Sequence, residues 1–280
     1  MNAILKTGEL LTTDAQGFII NPCSFEKISP PWTAIIADLK IAYLEIFANQ
    51  LHSIYIRGSV PRGKAIPKVS DLDSLAVISG NLEECQLAKI RLACRKIKHQ
   101  YPFCKNVDFL CVSYQEIMES ESTLKMLIKT QSLCIFGDDL TLSLPNYKPG
   151  IEMVSHAFEL GEDLEILQDE LQCLGNNDIF YFKFIKDRCA WIMKRIVRTG
   201  LELVMLREQV YTRDLYPSYL LFYKHYPTQE RYMKKALELA INPSDNLAGL
   251  LIFLREFGSW LVREVERVGC VRKFHTDAVT

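Results

Sequence analysis

The sequence lacks a charge of one sign: 33 Lys+Arg stand against 34 Asp+Glu, a net charge of -1 over 280 residues. Binders of long nucleic acid carry surplus Lys/Arg to displace phosphate counterions, so that class is disfavoured and any nucleic-acid contact has to be local. No long apolar run approaches a membrane span, and the opening Met1-Asn2-Ala3-Ile4-Leu5-Lys6 has no small-residue cleavage pattern. A cytoplasmic protein without membrane partners is the expectation. The nine cysteines include no CxxC pair and no finger-spaced His, which argues against both a zinc module and a disulfide framework. Internal repeats and low-complexity stretches are missing as well. What is present, 49% hydrophobic and 24% charged residues, is enough to bury one large core or two modest ones.

Regular structure is interrupted at Pro145-Asn146-Tyr147-Lys148-Pro149-Gly150, because proline and glycine together continue neither helix nor strand. We read 145–150 as a linker. Before it, 1–31 is read as an extension with a hairpin, 9–13 against 18–21 around Asp14-Ala15-Gln16-Gly17. Pro30-Pro31 opens a helix over 32–51. Short β-rich runs follow at 53–57, 72–79, 107–112 and 133–136, with a helix carrying Leu82, Leu87, Ile90, Cys94 and Ile97 between the second and third. The predicted fold class is α+β: a small mixed sheet with helices over 32–144, then an all-α helical bundle over 151–280.

The helical part is read from stripes at three- and four-residue spacing. Ala157, Leu160, Leu164, Leu167, Leu171 and Leu174 make one, ended by Gly175-Asn176-Asn177, and Ile185, Cys189, Ile192 and Ile196 make another. A further helix is expected over 247–268. Residues 152–178 hold eight acids and no Lys or Arg, whereas 183–213 hold eight Lys+Arg and only Asp187, Glu202 and Glu208 as acids. Such a pair of helices can neutralise one another, or the acidic run can attract a polycationic acceptor; we favour mutual pairing.

The segment Ile54-Tyr55-Ile56-Arg57-Gly58-Ser59 ends a β-type run in Gly-Ser, and Ser70-Asp71-Leu72-Asp73 begins another. Alternate strand residues share a face, so Asp71 and Asp73 project together. Two adjacent anions repel unless a cation lies between them, and hard oxygen ligands suit Mg²⁺. Gly58 lets backbone approach a ligand, and the Ser59 hydroxyl with neighbouring N–H groups can grip a phosphate oxygen. Asp108, alone in the apolar run Val107-Asp108-Phe109-Leu110, can complete a three-carboxylate site for two metals. Each piece has a plain alternative: a turn for Gly-Ser, a solvated strand start or cap for the aspartate pair, a lone edge acid for Asp108. Their joint order favours the site.

Gly58-Ser59, eleven residues, then Asp71-x-Asp73 resembles the signature of the DNA polymerase beta-like nucleotidyltransferase superfamily. Arg62-Gly63 with Ser70-Asp71-Leu72-Asp73 resembles its bacterial small-substrate and antitoxin-type branches, and Phe136-Gly137-Asp138-Asp139-Leu140 is similar to the segment closing the domain in aminoglycoside nucleotidyltransferases. The resemblance spans about 32–143. It implies that Asp71 and Asp73 bind two Mg²⁺ (Mn²⁺ as a substitute) and that Asp108 is the third carboxylate. Gly58 and Ser59 would hold phosphates, with Arg62, Lys68 and Arg57 adding contacts unless they are solvated loop cations. The implied reaction moves AMP from ATP to a hydroxyl of a small molecule, with a nucleoside triphosphate and that acceptor as partners. Competing expectations are an antitoxin-like or regulatory binding protein, and AMP transfer to a protein or RNA end, the last through a patch of Lys183, Lys186, Lys194, Arg195 and Arg198. The sequence sets no oligomeric state; a homodimer is compatible with it.

Overall fold

A computed structural model describes residues 6–119, 123–172 and 181–276, with backbone alone for 270–276. The chain divides into two compact units: Thr12–Tyr147, and the segment up to Leu11 together with Lys148 onward. The crossing at 147/148 falls inside the 145–150 segment.

In the first unit, α1 (Trp32–Phe47) leads through a 3-10 turn into β1 (Leu51–Arg57), followed by β2 (Leu72–Ile78), α2 (Glu84–Gln100), β3 (Val107–Ser113), α3 (Tyr114–Glu119), α4 (Thr123–Gln131) and β4 (Ser132–Gly137). The sheet order is β3-β2-β1-β4, with β2 and β3 parallel and the other pairs antiparallel. It is therefore mixed, as expected, since α2 supplies the crossover that parallel neighbours need. Alternation assigns its faces. Ile54, Ile56, Leu72 and Ala76 pack with Ile35, Leu39 and Tyr43 of α1 and with Ile90 and Ile97 of α2. Tyr55, Leu75, Val77 and Val112 pack on the other face with Ile117 and Ile128. Helices α3 and α4 were not foreseen from periodicity because they have 6 and 9 residues, too few turns for a stripe to stand out.

Two local expectations change. The 9–13/18–21 hairpin reduces to one bridge, Thr13 to Ile19, closed by an Asp14 side chain that accepts from the Gln16 and Phe18 amides. The first helix stops at Phe47 rather than Leu51, and β1 begins at Leu51.

The second unit is helical: α5 (His156–Gln172), α6 (Tyr181–Glu208), α7 (Leu215–His225), α8 (Glu230–Ile241), then α9 (Leu247–Phe253) and α10 (Ser259–Thr276) joined by a π turn over Leu254–Gly258. The two expected stripes form its core up to Leu171; Leu174 and the Gly175-Asn176-Asn177 stop lie outside the described residues. Acidic α5 pairs with basic α6 through Arg188 to Glu170 (2.8 Å) and Arg195 to Glu159 and Asp163 (2.8 and 2.5 Å). Three of the acids and two of the bases are thus paired between the helices. Lys186 is likewise matched, to Asp245 at 3.1 Å. No helix among the described residues is long and apolar enough to cross a membrane, and the described cysteines are free thiols.

Candidate functional site

The candidate site is built at the end of the sheet where β1 stops and β2 and β3 start. Register aligns Arg57 of β1 with Asp73 of β2, and Asp73 with Asp108 of β3. In-register neighbours point the same way, so these three side chains form a row across the face that α3 and α4 cover further along. Asp108 is exposed and Asp73 half-buried. The Arg57 guanidinium donates to Asp108 Oδ2 at 3.5 Å, reaching past the intervening strand that carries Asp73. Its Nε is buried without a hydrogen-bond partner.

Asp71 precedes β2 and is exposed. Its position is set by backbone pinning: Lys68 N donates to the Phe103 carbonyl (2.5 Å), Lys105 N to the Ser70 carbonyl (3.1 Å) and Leu72 N to the Asn106 carbonyl (2.9 Å), while Ser70 Oγ accepts from Ile66 N at 2.9 Å. Lys68 takes φ +68° within this turn.

Gly58 follows Arg57 with φ +81°, a left-handed conformation that side chains disfavour. The next turn closes on itself, with Gly63 N donating to the Val60 carbonyl, Lys64 N to the Ser59 carbonyl and Arg62 Nε back to the Gly58 carbonyl, the last at 3.0 Å. Val60 is buried and anchors the loop. Arg62 therefore braces the turn that presents Ser59.

Behind the row a buried relay was not anticipated from sequence. Ser74 Oγ donates to the Asp108 carbonyl at 2.5 Å and lies 2.8 Å from the Tyr43 hydroxyl of α1. With the Ser74 proton on Asp108, Tyr43 donates to Ser74. Burial pushes the Tyr43 phenol well above its ordinary range, so it stays a donor. Ser74 is a polar residue in the apolar run 72–78, and that was the one available signal. Two residues before Arg57 on β1, Tyr55 Oη accepts from Leu140 N at 2.7 Å, and Asp139 Oδ1 accepts from Thr141 N at 3.0 Å. These bonds fix the Gly137-Asp138-Asp139-Leu140 segment, where a Cβ on Gly137 would overlap the His52 carbonyl.

The expected residues are thus gathered at one sheet end: Asp73 and Asp108 in register, Gly58 against Asp73, Asp71 at the strand entrance, Ser59 and Arg62 on the adjoining loop, Lys68 in the turn before Asp71. Among the described residues no three His, Cys, Asp or Glu side chains are close enough together to enclose a metal; the aspartates lie in an open row. Their donor chemistry, carboxylate oxygen alone, fits a hard divalent cation.

In the helical unit, Glu202 was counted from sequence only as an acid among bases. It is buried and accepts from the amides of Ser155 (3.2 Å), His156 (3.3 Å) and Ala157 (2.7 Å), and pairs with His156 Nδ1 at 2.9 Å. A carboxylate there meets the positive end of α5. Burial lowers the His156 pKa below its usual value, against the pull of Glu202. Burial, then the nearby Arg213, pushes Arg198 down to about 9.

This sheet, with its acidic row at the strand ends, and the helical unit that follows give the chain an α+β sheet unit and an all-α unit. Among solved structures the chain is similar to spectinomycin adenyltransferase AAD(9) from Enterococcus faecialis, solved with ATP and spectinomycin. The match has 14% identity and a TM-score of 0.51 and covers 84% of this chain and 99% of that one. A structure of a mutant toxin-antitoxin MntA-HpeT matches at 17% identity and a TM-score of 0.28 over 49% of this chain and 98% of that chain. No family model and no curated protein matches the sequence.

Proposed function

We propose that the protein is a Mg²⁺-dependent nucleotidyltransferase that moves AMP from ATP to a hydroxyl of a small molecule. The observation carrying this reading is the register row of Asp73 and Asp108 beside the left-handed Gly58 turn. The AAD(9) structure, solved with ATP and spectinomycin, supports ATP as donor and a small acceptor through its fold. Asp71, Asp73 and Asp108 would hold the metal. When bound, it offsets charge on the attacking and leaving oxygens of an in-line displacement. Gly58 gives backbone access and Ser59 a hydroxyl for the phosphates, and Arg62 and Lys68 add positive charge along the same loop. Arg57, drawn to Asp108, holds the row in order before substrate arrives. The acceptor oxygen forms a bond to the α-phosphorus, the bond to pyrophosphate breaks, and the acceptor proton leaves with the departing groups or solvent.

A pyrophosphate-release screen of nucleotides with Mg²⁺ against hydroxyl acceptors, aminoglycosides included, tests the reading. Asp71→Ala and Asp73→Ala should each abolish release while circular dichroism and the melting transition persist, since removing one acid also relieves repulsion. Turnover retained in both variants would refute it.

A further inference from the structure

On the side of the sheet away from the acidic row, α1 and α2 run antiparallel and leave a groove of about 570 Å³ between their outer faces. Ile41 and Leu92 stand on its walls with 52% and 68% of their surface exposed, and Ala42, Ile46, Ala93 and Ile97 line it beside them. The charges around them follow a pattern. On α1, Asp38 and Glu45 lie one heptad apart with Ile41 between them; on α2, Lys89 and Lys96 lie one heptad apart with Leu92 between them. One wall is acidic at both ends and the other is basic at both ends. Asp38 is held at the rim by the Gln100 amide (2.8 Å) and the Tyr101 hydroxyl (2.7 Å), which fixes the pairing of heights: Asp38 lies beside the C-terminal end of α2, and Glu45 toward its N-terminal end.

We infer that this groove is a homodimer interface, occupied by the same two helices of a second copy about a two-fold axis parallel to them. Such an axis sets α1 of one copy over α2 of the other without changing the height of any residue along the groove. Asp38 then faces Lys96 of the second copy, Glu45 faces Lys89, and Ile41 meets Leu92, with every pair made twice. A patch that is acidic along one side and basic along the other is complementary to itself under this rotation, the requirement of an isologous contact. The four helices form an antiparallel bundle whose apolar seam excludes water while the flanking charges set register.

The experiment is sedimentation over about a hundredfold range of concentration. The wild-type chain should show a monomer–dimer equilibrium. Leu92→Arg, Glu45→Lys and Lys89→Glu, all at exposed positions remote from the acidic row, should each raise the dimer dissociation constant about tenfold or more. An equimolar mixture of Glu45→Lys with Lys89→Glu should restore dimer, because every 45–89 contact across the heterodimer then joins opposite charges. A wild-type chain monomeric throughout, including one that binds only an acidic partner, overturns the inference. So does a dimer indifferent to all three substitutions, or a mixture no more associated than its components.

Discussion

Gly58 leaves open the space that Asp73 uses: a Cβ at residue 58 would stand 2.6 Å from Asp73 Oδ2. The turn and the carboxylate are therefore one structural feature. Gly58→Ala adds a methyl group at φ +81° and displaces the carboxylate. We expect a stability loss of about 1–2 kcal/mol from backbone strain and a disproportionate loss of pyrophosphate release. Chemical denaturation beside the release assay separates the two; a variant of wild-type activity would detach Asp73 from the chemistry.

The Tyr43–Ser74–Asp108 relay is buried, so its loss is not repaired by water. Tyr43→Phe and Ser74→Ala should each cost about 1–2 kcal/mol. The double variant should cost less than the sum, by about 0.5 kcal/mol or more, because both remove one chain of bonds. Urea unfolding of the four proteins of the cycle measures the coupling; strict additivity would show the bonds to be independent.

Glu202 accepts from three amides at the start of α5 and is 2% exposed. Glu202→Ala strands those donors and should destabilise by about 3 kcal/mol or more. Glu202→Gln keeps an acceptor and should cost less. Melting temperatures in that order support the anchor, and an alanine variant as stable as wild type would contradict it.

His156 carries a pH dependence of definite sign. Its folded pKa lies below the ordinary 6.5 because burial disfavours the imidazolium. Below about pH 6.5 the unfolded chain therefore takes up a proton that the folded protein refuses, and stability falls by at most about 1.4 kcal/mol per pH unit. The fall ends once His156 itself titrates in the fold; above pH 6.5 the group contributes no slope. His156→Gln should flatten this part of the acid limb in melting curves recorded against pH.

Much of the sheet unit was legible because its signals are local. Short β-rich runs marked all four strands within a residue or two, and Gly-Ser with the spaced aspartates marked the sheet end. What escaped depends on register. Nothing in the spacing of Arg57 and Asp108 says that β1 and β3 flank β2 with these residues level, so Arg57 read as a loop cation rather than the partner of a carboxylate. Tyr43 and Ser74 are 31 residues apart and look like ordinary members of their elements. In the helical half α7 was not delimited, since the Tyr-rich stretch 215–225 buries only Ser218 and Phe222, whereas α8 went unread although Met233, Ala236, Leu237 and Ala240 recur at helical spacing. The acidic and basic runs, by contrast, announced their pairing because charge segregation survives in the sequence whatever the helix packing.

The segment before Leu11 completes the helical unit, with Glu9 N donating to Asp214 Oδ2, Thr212 Oγ1 to the Glu9 carbonyl and Leu11 N to the Tyr211 carbonyl. Thr212 and Glu9 are 203 residues apart. On a ribosome adding roughly 5–20 residues per second, the earliest of these partners waits about 10–40 s for the latest. Residues 12–147 can finish folding within that interval. A segment made early then waits for partners made late, and translation rate becomes a variable in how the helical half closes.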